Sequence, residues 1–120
     1  MASFDGITAG ITNEATVTVE QKHTVSHTKV PVLSTPMMIG LMEIVSKDAV
    51  QPLLPPGFTT VGFEVNIRHK AAALIGAMIK ISCKLLEADG RKLLFEVRVT
   101  EGEKIIGEGQ HRRTIIQGSE

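Results

Sequence analysis

The chain has no tryptophan and no tyrosine, and only four phenylalanines among its 120 residues. Proteins that grip single-stranded nucleic acid stack bases on aromatic rings, so the sequence argues against that class. Surplus charge is missing too: thirteen Lys and Arg balance thirteen Asp and Glu, leaving nothing to draw the chain to a phosphate backbone. The single cysteine, Cys83, excludes an intrachain disulfide and a multi-thiolate metal site. No apolar run approaches the roughly 18 residues of a membrane span. Met1 to Asp5 show no charged segment leading into an apolar one, as a secretory signal would. A glycine-rich phosphate loop and a serine-nucleophile elbow are also absent. The expectation is a soluble, cytoplasmic protein with neither nucleic acid nor membrane as partner and no bound metal.

What remains is ordinary for one folded domain spanning residues 1–120: 42% hydrophobic and 22% charged residues, values far from those of disordered chains. Residues 1–13 carry no periodicity and read as a loosely held entry segment. From Ala15 to Val25, Val17 and Val19 alternate with Thr16, Thr18 and Glu20, the pattern of a half-buried strand. Ser34-Thr35-Pro36 is a helix start, with a hydroxyl to cap free amides and a proline suited to the first turn. The following stretch, Met37 to Val45, is apolar on nearly every face, as in a buried helix. It runs to Val50 and stops before Pro52 and Pro55-Pro56-Gly57. Four strands follow. Val61, Phe63, Val65, Ile67 and His69 share one parity in the first, and Ile79, Ile81, Cys83 and Leu85 in the second. Asp89-Gly90 marks a hairpin into Leu93 to Val99, and Glu101-Gly102-Glu103 a turn into the strand Lys104 to Ile116. The sum is an α+β domain: one helix across the concave face of a curved sheet of about five strands, the last four read as a meander. One helix covers five strands poorly, which makes dimerisation a natural way to finish the burial.

Three residues stand out against this background. Glu43 is the only ionisable residue between Pro36 and Ser46, in a stretch otherwise fit for a core, where an unpartnered carboxylate is costly. The alternative is an exposed stripe shared with Ser46 and Lys47. His69 ends the apolar parity of its strand, where a lone histidine is more often a satisfied core or edge residue than a catalyst; its pairing with an acid on the helix is what raises the functional reading. Thr35 sits where free amides and the helix dipole favour developing negative charge; Ser34 can serve as cap and leave its hydroxyl free. An acid on the helix and an imidazole on the covering sheet can position a water, shuttle its proton or hold a hydroxyl ready to attack. His23 and His27 have a helical metal spacing in a segment that is not helical, and Cys83 reads as packing. His111-Arg112-Arg113 is either a solvated edge or a contact for the phosphates of a nucleotide-bearing substrate.

Three blocks in order, Thr35-Pro36-Met37-Met38-Ile39-Gly40-Leu41-Met42-Glu43, Val65-Asn66-Ile67-Arg68-His69 and Ile106-Gly107-Glu108-Gly109-Gln110-His111-Arg112, resemble the fluoroacetyl-CoA thioesterase family of hot-dog proteins, over about Val17 to Ile116. The resemblance implies a hot-dog fold whose subunits pair sheet edge to sheet edge, as a homodimer or a tetramer. It implies hydrolysis of an acyl-CoA, with CoA part of the substrate and no separate cofactor. Carried over, His69 is the general base and acid, and Thr35 and Glu43 are nucleophile or water-activating groups. Gly62 lies near the substrate carbonyl; from the cations of His111-Arg112-Arg113, Arg112 is the expected substrate contact. Fluoroacetyl-specific members carry an aromatic lid residue shortly before the threonine; Thr28 to Ser34 contains none, which points to a general small or medium acyl group. A hydratase or dehydratase on acyl thioesters and a non-catalytic acyl-CoA-binding module are the alternatives the same residues leave open.

Overall fold

Alternation of apolar and polar residues builds the centre of the sheet. In the computed structural model, which describes residues 3–25 and 29–118, the elements are β1 (Thr12–Thr18), β2 (Thr24–Val25), β3 (Val32–Leu33), α1 (Thr35–Val50), β4 (Phe58–His69), β5 (Met78–Asp89), β6 (Lys92–Glu101) and β7 (Lys104–Gln117). Ile79, Ile81, Cys83 and Leu85 of β5 and Phe95, Val97 and Val99 of β6 point to one face and are buried there. Against them lies the stripe Met38, Met42, Val45, Ser46 and Val50 of α1, spaced as one face of a helix. Cys83 belongs to this core, and burial pushes its thiol pKa up. The outer face of the sheet is polar, with Glu108 bridging Arg98 at 3.1 Å and Lys70 at 3.0 Å.

Ser34 caps α1 as its position suggests: its hydroxyl accepts from the Met37 amide at 3.2 Å. Both tight hairpins form where the glycines predict them, with Gly90 and Gly102 at φ +60° and +58°, a backbone state that costs glycine nothing.

Three expectations are corrected. The sheet order is β1-β5-β6-β7-β4, so only β5 to β7 form a meander. β4 pairs with β7 at the far edge, and the chain then crosses past the start of α1 to reach β5, clipped by Leu33 N–H to Ala73 O and Gly76 N–H to Val19 O. Second, the parity of β4 does not run through. The register with β7 shifts between Gly62 and Glu64, so Phe63 is the extra residue of a β-bulge. Cross-strand partners share a face. Thr60 and Gly62 therefore face inward before the bulge, and Val65, Ile67 and His69 after it, opposite Ile115, Arg113, His111, Gly109 and Gly107. Val61 and Phe63 leave that set. Third, β1 covers Thr12 to Thr18, and the chain then turns through a 3₁₀ segment at Gln21–His23. The entry segment before it is anchored: Ile7 is buried, and Phe4 stacks edge-on against Phe58 at 5.5 Å with Arg91 over both rings.

Candidate active site

The useful chemistry lies along the seam where α1 meets β4, in two sets. The first is at the N-terminus of α1. Because Ser34 supplies the cap, the Thr35 hydroxyl is free, and its Oγ1 lies 2.8 Å from Nδ1 of His69. His69 reaches it from the last residue of β4, opposite Gly107. The missing side chain at Gly107 matters, since a Cβ there would stand 2.5 Å from the Met38 sulfur. Glycine at this point lets the first turn of α1 settle on the sheet edge beside His69. Of the first four amide positions of the helix, Pro36 has no N–H, Met37 donates to Ser34 Oγ and Met38 to Ser34 O. The Thr35 N–H is thus the one amide of that turn without an acceptor among the described residues.

The second set is eight residues further along the helix, about 12 Å at 1.5 Å rise per residue. Glu43 is half-buried on the flank of α1 facing Gly62. A Cβ on Gly62 would meet Glu43 Oε2 at 2.7 Å, His111 Cε1 at 3.4 Å and Arg113 Nη1 at 3.7 Å. The hydrogen in place of a side chain therefore leaves a small space that all three groups face. An open groove of about 410 Å³ between α1 and β4 has Glu43, Lys47, Thr60, Gly62 and Arg113 in its walls. A smaller one of about 230 Å³ beside it is bounded by Glu43, Phe63, Val65 and His111. A further surface depression of about 540 Å³ lies on the outer face among Thr12, Lys84, Glu96 and Arg98 and contains no residue of either set.

Arg113 and His111 are the residues that sequence reasoning missed in this role. Only 6% and 1% exposed, they point inward from β7. Arg113 donates through Nε to Thr60 Oγ1 at 2.7 Å and through Nη2 to Thr60 O at 2.9 Å. Burial lowers the pKa of Arg113, opposed by the charge of Glu43. Burial also lowers that of His111, and the Arg113 charge adds to it against the Glu64 carbonyl and Glu43. The signal was available in the alternation of β7, which puts 111 and 113 on the face of Ile115. Arg112, the cation singled out from the motif, lies on the opposite face, exposed and paired with Glu64 at 3.0 Å.

The structure thus joins Thr35 to His69 and Glu43 to Gly62, and within one chain the two sets stay apart. A family model described as fluoroacetyl-CoA-specific thioesterase matches residues 11–119. The chain belongs to the fluoroacetyl-CoA-specific thioesterase family. Within that family, the fluoroacetyl-CoA thioesterase of Streptantibioticus cattleyicolor is 34% identical over 85 residues, which are 71% of this chain and 61% of that relative, so the chain spans less than two thirds of its length. A solved structure of the fluoroacetyl-CoA thioesterase FlK superposes with a TM-score of 0.87 at 30% identity, covering 94% of this chain and 90% of that one. A hot-dog-like protein from Thermanaerovibrio acidaminovorans shares the fold at 18% identity, with a TM-score of 0.84 over 91% of this chain and 83% of its own. The fold is therefore the hot-dog of this family.

Among the described residues no cluster of three or more His, Cys, Asp or Glu is arranged to hold a metal. His23 is instead buried in its 3₁₀ turn, its Nδ1 accepting from the Glu20 amide at 2.9 Å; His27 lies outside the described residues. No helix among them is long and apolar enough to cross a membrane.

Proposed function

We propose that the protein hydrolyses the thioester of a small or medium acyl-CoA, releasing the free acid and CoA, and that it works as a homodimer. The observation that carries the reading is the 2.8 Å approach of the Thr35 hydroxyl to His69 Nδ1 at the start of α1. A hydroxyl in hydrogen-bond contact with an imidazole is what nucleophilic or water-mediated acyl transfer needs. His69 accepts the proton of the attacking O–H as the C–O bond forms. It returns that proton to the CoA sulfur as the C–S bond breaks. Where Thr35 is the nucleophile, a water then attacks the acyl-threonine ester with His69 again taking its proton, and the free acid leaves as that proton returns to the Thr35 oxygen. The unpartnered Thr35 amide is the donor offered to the developing oxyanion.

The dimer is supported by the edge of the sheet. The free edge of β4 exposes Val61, Phe63 and Val65, with Phe63 74% accessible, and Ile44 of α1 beside it is 57% accessible. A long apolar edge of this kind calls for a partner. Antiparallel pairing of β4 with its own copy brings the His69 end of one strand toward the Gly62 end of the other, so the two separated sets come together across the interface. Glu43 then acts on the water or the ester that the Thr35–His69 pair handles. Lys29 to Ser34 carries no aromatic residue, which supports a general acyl group.

The test is thiol release from a panel of acyl-CoAs, acetyl through long-chain, with fluoroacetyl and aromatic members. Catalytic release is expected from small or medium acyl groups, in a fraction eluting at twice the 13.0 kDa chain mass. Tight acyl-CoA binding without turnover sinks the hydrolase reading and leaves a binding module.

A further inference from the structure

A buried guanidinium beside a carboxylate normally closes on it, because the bidentate pair is the strongest contact either group can make. Arg113 and Glu43 face each other across Gly62 and do not close: among the described residues Glu43 has neither a hydrogen bond nor an ion pair. The guanidinium is held elsewhere. Two of its donors go to Thr60, and Nη1 lies 3.1 Å from Nε2 of His111. Arginine only donates, so Nε2 must carry the lone pair. The other ring nitrogen agrees. His111 Nδ1 stands 2.8 Å from the Glu64 carbonyl oxygen, which only accepts, so Nδ1 carries the hydrogen. The two contacts demand the same neutral tautomer.

We infer that His111 is a positioning residue which, as a neutral Nδ1–H imidazole, holds the Arg113 guanidinium off Glu43 and keeps that carboxylate unpaired for the reacting groups. The inference rests on the thioesterase reading for what Glu43 does, and on the hydrogen bonds alone for the restraint. The charged groups around the imidazole are Arg113 on its own strand and Glu43 on α1; β4 presents the Glu64 carbonyl, with the Glu64 carboxylate turned outward to Arg112. Burial and Arg113 both disfavour the imidazolium, which would have no lone pair for Nη1. Gly62 completes the arrangement by leaving the gap unfilled.

The experiment compares His111→Leu with His111→Gln in the whole protein, since the Gln carbonyl can replace the Nε2 acceptor and Leu cannot. With the acyl-CoA that the wild type hydrolyses, the Leu variant is expected to lose about 10–100-fold in kcat, the worth of one hydrogen bond to a charged group, with KM little changed. The Gln variant should recover most of it. A crystal structure of the Leu variant should show Arg113 paired with Glu43, and the ¹⁵N spectrum of the wild type should show His111 as the Nδ1–H tautomer. Should the Leu variant fail to fold, His111→Asn, whose amide can still donate to the Glu64 carbonyl but is too short to offer Nη1 an acceptor, takes its place with the same outcomes. An Nε2–H tautomer overturns the inference, as does a folded Leu variant with unchanged kcat or a Gln variant no better than Leu. A wild type that turns over nothing removes the hydrolase reading, while the tautomer and the crystal structure still decide the restraint.

Discussion

The two ends of the seam between α1 and β4 are built on opposite terms. At the N-terminal end, Thr35 is exposed and His69 half-buried, and a single hydrogen bond joins them. At the other, Arg113 and His111 are buried and four hydrogen bonds lock them to Thr60, to Glu64 and to each other. A half-buried imidazole held by one hydrogen bond is free to take part in the proposed proton transfer, and a buried network cannot rearrange without leaving polar groups unpaired. The difference suits each end to a different part of the proposed hydrolysis: proton transfer at the loose end, fixed electrostatics at the tight end. It also says which substitutions should separate activity from stability.

The sharpest break comes at the loose end. His69→Ala removes the imidazole that Thr35 faces, the base of the proposed hydrolysis, and kcat should fall by roughly 10²–10⁴. Stability should stay within about 0.5 kcal/mol, because a lone partly exposed hydrogen bond supports little of the fold. Stopped-time thiol assays beside urea unfolding check both halves of the expectation. A large stability loss would mean that His69 is a structural residue and would erase the contrast.

Directly beneath His69 the separation should fail. Gly107→Ala would place a methyl 2.5 Å from Met38 Sδ and 3.2 Å from the Arg68 carbonyl. Met38 is completely buried, so its thioether has little room to give, and overpacking of this kind costs about 1–3 kcal/mol. The helix start should shift with it, lowering activity as well. Urea unfolding measures the loss, and adding Met38→Val, which trims the clashing end, should recover part of it as a non-additive coupling. Strict additivity would show that the close approach does not seat α1.

Much of the loose end was legible in the residues. Ser34-Thr35-Pro36 announces a cap, a free hydroxyl and a helix start through local chemistry alone, and His69 follows from its place at the end of an apolar strand. The hairpins at Gly90 and Gly102 were legible for the same reason. The tight end was not, and the causes are physical. A bulge shifts every later side chain to the other face, and the residues around Phe63 carry no compositional mark of it. Reading one parity through β4 therefore kept Phe63 inward and left Gly62 without neighbours. The crossover from β4 to β5 is a tertiary choice that a run of alternating strands does not encode. The alternation of β7 did put His111 and Arg113 beside Ile115, but polar residues on an apolar parity reveal their purpose only once their partners on β4 and α1 are in place. The anchoring of Phe4 likewise depends on Phe58 and Arg91, distant in sequence.

The smallest effect expected is a pH dependence of stability that arises at one imidazole of the tight end. The pKa of His111 is lowered from an ordinary 6.5, burial being the main cause. As the pH falls through the unfolded-chain value, the unfolded state takes up a proton that the folded state refuses. Stability is then full above about pH 6.5 and declines below it until the folded-state imidazole is itself protonated. Melting temperatures measured between pH 7.5 and pH 5 should fall for the wild type, and His111→Gln, which has nothing to titrate, should flatten its part of the slope. An undiminished slope in His111→Gln would mean that the buried imidazole carries none of the pH response, and the view of the tight end as a fixed electrostatic network would fail there.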